Sequence, residues 1–186
     1  MARRFYIRNT DPLFWLQKRN RCNCGSFAMN MTSWFTPYDN NRKYTEPIRS
    51  GIIRSMFEEG YCKEDIYEEI LERDCAEILR ACPWIEQIEL EEARWWDKLI
   101  AYRIWFDEDL LTMTDTVDDD FHFRVRIFGL WFEKRGEDPI RFCGWRAAKK
   151  EWKTSEYLIY DSRTVYFRYK RNFDKKTKMC YNKYRR

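Results

Sequence analysis

The chain has 186 residues, 44% of them hydrophobic and 18% aromatic, with nine Trp; this excludes a disordered or low-complexity chain and suits a single globular domain. The net charge of +4 is unevenly spread: residues 1–21 carry six basic and one acidic side chain and residues 163–186 carry ten and one, so an acidic body has two basic ends. The longest apolar runs, Leu13–Leu16 and Leu99–Tyr102, are too short for a signal peptide or a membrane span, so a cytoplasmic setting with no membrane partner is expected.

From the N-terminus, residues 24–35 predict a first helix, with Asn23 as its cap and Gly25 and Thr32 weakening it. Residues 36–41 are rich in turn formers. Ile48–Glu59 reads as a helix closed by Gly60. Lys63–Ala81 is the clearest helix: Ile66, Ile70, Cys75, Ile78, Leu79 and Cys82 form an apolar stripe, acidic residues crowd the first turn, and Pro83 stops it. Glu89–Lys98 predicts another helix, with Trp95 and Trp96 packed into the core.

The character then changes. Leu99–Phe106 suits a strand, and residues 107–120 an acidic loop. Phe121–Ile127 alternates strictly and Leu130–Lys134 follows a turn at Phe128-Gly129, which together predict a β-hairpin. Residues 139–144 and 157–169 add strands, with a short helix near 146–152 and Trp145 in the core. Helices followed by an antiparallel sheet define an α+β class. The expected organisation is one domain over 1–172, helical over about 24–98 and sheet over about 99–170, with a basic tail at 173–186.

The seven Cys (22, 24, 62, 75, 82, 143 and 180) include no CxxC pair. Neither disulfides nor a zinc site is expected, and no metal or other cofactor is implied. The acidic cluster Asp115–Asp120 lacks EF-hand spacing and reads as a solvated loop.

The stretch CNCGSFAMN at residues 22–30 invites a sharper reading. A cysteine nucleophile needs a lowered thiol pKa, a base within reach and donors for an oxyanion. Cys24 at a helix start, with small Gly25 and Ser26 after it, suits that role; it equally suits a buried thiol. His122 is the only histidine, and alternation sets it with Arg124 and Arg126 on the polar, open face of its strand, opposite Phe121, Phe123, Val125 and Ile127. A two-residue hairpin loop puts Glu133 opposite Arg124, one diagonal from His122, where it can orient the imidazole. A three-residue loop would turn Glu133 away and leave Asp120 or Asp119 as orienter.

The segment CGSFAMN resembles the nucleophile segment of papain-like cysteine peptidases, and DFHFRVR with GLWFEKRG resembles blocks in phage-encoded proteins of papain-like or NlpC/P60-like type. The resemblance implies a papain-like fold, with the Cys opening an early helix that packs on a small antiparallel sheet carrying the His. It implies a thiol hydrolase cleaving a peptide or amide bond, with Cys24 as nucleophile, His122 as base and Glu133 as orienter. It implies Gln17, with Asn23 as rival, as the oxyanion-hole donor. It also implies a protein or peptide substrate and a host-cytoplasmic or virion-associated location. The segment RTVYFRYKRNF at 163–173, with Arg168, Lys170 and Arg171, interleaves basic and aromatic side chains. That suits single-stranded nucleic acid, a guarded edge strand, or docking onto an acidic partner such as a virion protein. The alternative to an enzyme is therefore a non-catalytic structural or interaction protein on a papain-like scaffold, docking through its basic ends.

Overall fold

The computed structural model describes residues 22–31, 33–40, 42–136, 138–145, 152–153 and 159–170. It is α+β. Helices α1 (Cys24–Met29), α2 (Glu46–Glu58) and α3 (Lys63–Ala81) come first, and α4 (Glu108–Thr114) interrupts the strands that follow. Those strands are β1 (Ile85–Ile88), β2 (Leu99–Phe106), β3 (Asp119–Ile127), β4 (Leu130–Glu133), β5 (Arg141–Gly144), β6 (Trp152–Lys153), β7 (Ile159–Tyr160) and β8 (Val165–Tyr169). Six of them form an antiparallel sheet in the order β1-β8-β2-β3-β4-β5; β6 and β7 pair separately. No helix among the described residues is long and apolar enough to cross a membrane.

The sheet is buried on both faces, and alternation decides which side chain goes where. Ile100, Tyr102, Ile104, Phe121, Phe123, Val125 and Phe167 join Cys24, Phe27 and the apolar face of α3 in one cluster. Leu99, Ala101 and Trp131 join Trp152 of β6 and Tyr160 of β7 in the other. The β6–β7 ribbon thus covers the sheet face that α1 and α3 leave open.

Each helix ends for a local reason. α1 has six residues, all buried; Asn23 and Ser26 form a reciprocal capping box at its start, and Asn30 stops it in the left-handed region at φ 59°. It is shorter than the expected 24–35. α3 matches its expected bounds, with Ile66, Ile70, Cys75 and Ile78 buried and Glu64 and Asp65 in the first turn.

A charged network fastens α2 to this frame. The buried Arg49 pairs with Asp74 of α3 at 3.4 Å and with Asp119 of β3. The hydroxyls of Tyr44 and Tyr102 donate to the two oxygens of Asp74, the first at 2.8 Å. Burial pushes the Asp74 carboxyl above its ordinary value, against the pull of Arg49 and the two hydroxyls.

Three expectations are corrected here. Residues 89–98 form no helix beyond a single 3-10 turn at Leu90–Glu92, and strand β1 precedes it. The acidic loop at 107–120 contains α4, capped by Asp107, whose side chain accepts from the Leu110 N–H at 2.8 Å. Trp95 and Trp96 pack edge-to-face with ring centres 5.4 Å apart, yet both are exposed, as is Trp145. The expected helix near 146–152 and the tail at 173–186 lie outside the described residues, apart from Trp152, which is strand.

Candidate functional site

The β3–β4 hairpin turns through Phe128 and Gly129, both with positive φ (50° and 78°), the geometry of a two-residue primed turn. Arg124 accordingly faces Glu133 across the ladder. The Glu133 carboxylate lies 3.3 Å from His122 Nε2, and it accepts from Arg124 Nε at 2.9 Å and from Arg135 Nε at 2.8 Å. Burial alone would raise this carboxyl; the hydrogen bond with His122 and the charges of Arg124 and Arg135 outweigh it and hold the pKa down to about 2.

The imidazole is enclosed. His122 stacks on the Tyr160 ring at 5.4 Å and meets Trp152 edge-on at 6.0 Å, while Arg124 lies over Trp152 at 4.4 Å. Desolvation pushes the His122 pKa below its ordinary value, ahead of the opposing pull of Glu133. The face expected to be polar and open is therefore a buried polar layer beneath β6–β7. Asp120, the alternative orienter, accepts from the Tyr160 hydroxyl instead.

Cys24 lies on the other side of β3. It is buried with Phe121 and Phe123, and its Sγ sits 4.0 Å from the Phe121 carbonyl oxygen. His122 lies between those two phenylalanines in sequence and points the opposite way, into the layer with Trp152 and Tyr160. The structure brings His122 and Glu133 together and sets Cys24 apart from both, with the strand backbone between. Desolvation, aided by the Asp120 charge, pushes the Cys24 thiol up to about 12. Hydrogen bonds from the backbone N–H groups of Phe123 and Gly25 pull the thiol the other way without outweighing its burial.

The small residues after Cys24 also have a packing cause. A Cβ on Gly25 would come 2.3 Å from the Phe35 carbonyl oxygen, so the space that seemed to admit a substrate is filled by the chain's own backbone. Asn23 is committed as well: its Nδ2 donates to Phe35 O at 2.9 Å, and its Oδ1 accepts from the N–H groups of Ser26 and Phe35. That amide is no oxyanion donor here. Gln17 and Arg171 lie outside the described residues.

Of the docking candidates, Arg168 is bound to Glu86 at 2.7 Å and lies 3.7 Å from Asp97. Lys170 Nζ donates to Pro83 O at 3.0 Å. Sequence reasoning missed the most connected partners of the buried layer. Arg124 stands opposite Glu133 as the two-residue loop predicts, and the structure adds the hydrogen bond between them. Trp152 and Tyr160 come from residues about thirty and forty positions downstream, with no local signal tying them to β3.

The thiol that shares the Glu133 face is Cys143 on β5. Burial first, and then the Glu133 charge, raises it to about 12. Among the described residues no group of three or more His, Cys, Asp or Glu side chains is placed to hold a metal ion. A groove of about 380 Å³ runs along α3 between Leu71, Cys75, Leu79 and Arg163, and it contains none of the expected site residues. Comparisons with protein families, curated proteins and solved structures returned no match for this chain.

Proposed function

We propose that the chain is a non-catalytic interaction protein and that its Cys-Gly-Ser segment is a helix start, not a nucleophile segment. One observation carries this reading: the Cys24 thiol and the His122 imidazole face opposite sides of β3, each buried among aromatic rings. A thiol hydrolase needs the base within hydrogen-bond reach of the sulfur and a thiolate accessible to substrate. Here burial favours the neutral forms of both Cys24 and His122. The His122–Glu133 contact, which in a triad would orient the base, is explained by packing: Glu133 is the acceptor that satisfies a buried histidine and two arginines.

The hydrolase reading is the one to test against. Mass-resolved alkylation of Cys24 by iodoacetamide, followed from neutral to alkaline pH in wild type and His122→Ala, decides between them. The interaction reading expects no alkylation near neutral pH in either protein. Rapid labelling below pH 7 that depends on His122 would restore the thiolate–imidazolium pair and overturn it.

A further inference from the structure

We propose that the groove between α3 and the outer edge of β1 binds an extended basic peptide, which adds a strand to β1 and seats its apolar side chains against α3. This deepens the interaction-protein reading and rests on it.

Strand pairing leaves this edge open. β1 ends the six-stranded order, and among the described strands it pairs with β8 alone. The Lys170 N–H donates to the Trp84 carbonyl, one step before Ile85 meets Tyr169 in the ladder. Antiparallel bonding alternates along a strand, so Glu86 and Ile88 bond across to β8 while Ile85 and Gln87 turn their backbone groups outward. The Ile85 N–H donates to the Cys82 carbonyl. The N–H and C=O of Gln87 meet no described strand. A peptide laid along β1 finds a donor and an acceptor there in strand geometry.

The groove of about 380 Å³ adds a second observation, because Gln87 lines it together with α3. Gln87 shares its strand face with Ile85, which is buried in the same cluster as the apolar residues of α3. On the helix side Leu71 and Cys75 are buried, Leu79 is half-buried and Ala76 is exposed. Steps of three and four join these residues into one stripe beside the strand edge. Alternate side chains of an added strand would point to the sheet face that α3 covers, and so into this stripe.

Charge selects the kind of peptide. Glu68 and Glu72 stand on the α3 wall, and Arg163 faces them across the groove. That arginine is already committed: its Nε donates to both Glu68 oxygens, at 2.6 and 2.8 Å. The basic side chains of α3 are also paired, Lys63 with Asp161, Arg73 with Glu69 and Arg80 with Glu77. Glu72 has no ion-pair partner among the described residues. A lysine or arginine on the occupant supplies the missing counter-charge, whereas a phosphate chain or an acidic peptide would bring like charge to the same wall.

The test uses the full chain and a fluorescein-labelled, end-capped peptide of alternating valine and lysine, about eight residues long, followed by anisotropy. Saturable binding is expected, at least about tenfold tighter than to the same peptide with glutamate in place of lysine. Gln87→Pro removes an N–H that faces away from β8, a position where an edge strand accepts proline. It should weaken peptide binding at least about tenfold with the urea midpoint near that of wild type. Ala76→Arg fills the groove from an exposed helix position and leaves β1 alone, so it should weaken binding as well and keeps the comparison open if Gln87→Pro disturbs the sheet. The proposal is overturned by absence of saturable binding, by a glutamate peptide that binds as tightly as the lysine one, or by both variants binding like wild type. It is also overturned if sedimentation shows a dimer that Gln87→Pro disperses, which would give the edge to a second copy of the chain. Cys24 alkylation reads the non-catalytic assignment separately, so the two failures are distinguishable.

Discussion

The sulfur of Cys24 and the imidazole of His122 lie on opposite sides of one strand, the first against the Phe121 carbonyl and the second against the Tyr160 ring. A β-strand transmits no proton between its faces; a base on one side cannot serve a thiol on the other without a change of register. His122→Ala should therefore leave the alkylation rate of Cys24 unchanged at every pH, as mass-resolved labelling will read. Because the folded thiol is raised to about 12, the unfolded chain ionises Cys24 first as pH rises. The stability this thiol contributes is full below about pH 8.5 and is lost above it.

Gly25 gives a second prediction. Its missing side chain makes room for the Phe35 carbonyl, and a methyl there would overlap a backbone atom, not a side chain able to swing away. Gly25→Ala should destabilise the fold by about 1–3 kcal/mol or more, despite the better helix propensity of Ala. Ser26→Ala, which only loosens the cap, should cost about 1 kcal/mol. Urea midpoints of the two variants compare them directly. A neutral Gly25→Ala would mean that this position is open, as a substrate approach requires.

Acid should unfold the chain in two stages. His122 has a lowered pKa in the fold, so the unfolded chain takes its proton first; that contribution is present above about pH 6.5 and declines below it. Glu133 is held down to about 2, so its contribution is present above about pH 4.5 and is lost between there and about pH 2, amounting to roughly 3 kcal/mol. His122→Phe, which keeps a ring on Tyr160, should abolish the first stage and shrink the second, because His122 is among the groups that hold Glu133 down; Glu133→Gln should abolish the second. Glu133→Gln should also cost about 3–5 kcal/mol near neutrality, because it leaves buried arginine charge unbalanced. Denaturant titrations at three pH values resolve the stages.

The hairpin, its register and the fastening of Glu133 beside His122 were legible because they are local. Strict alternation over Phe121–Ile127 and a two-residue turn leave few other arrangements. The helix over 63–81 was legible for the same reason. The position of Cys24 relative to His122 was not, because it depends on which sheet face α1 packs against. Phe27 and the Phe121–Phe123 rings decide that by burying together, and no sequence spacing records it. Nor did the sequence show that β6 and β7 would roof the polar face, since two-residue strands have no readable period. Trp95 and Trp96 looked like core because a helix was expected around them. With Ala93 extended and no helix beyond Leu90–Glu92, they have no core to face.

The Arg49 network offers the sharpest test of what holds the helical layer to the sheet. Through Arg49, α2 meets both Asp74 on α3 and Asp119 on β3. Arg49→Ala should cost about 3–5 kcal/mol, because two buried carboxylates lose their counter-charge. Asp74→Asn keeps the acceptor for one tyrosine hydroxyl but removes the charge, and should cost less. The double variant Arg49→Met with Asp74→Leu restores apolar contact where the pair stood, and should recover part of the loss, the remainder being Asp119 without its arginine and the Tyr44 and Tyr102 hydroxyls without their acceptor. The coupling energy from a cycle of Arg49→Met, Asp74→Leu and their double variant, measured by denaturant unfolding, separates attraction from desolvation. If Arg49→Ala alone unfolds no more easily than wild type, the network is ornamental and α2 is held by Ile53 and its neighbours in the apolar cluster.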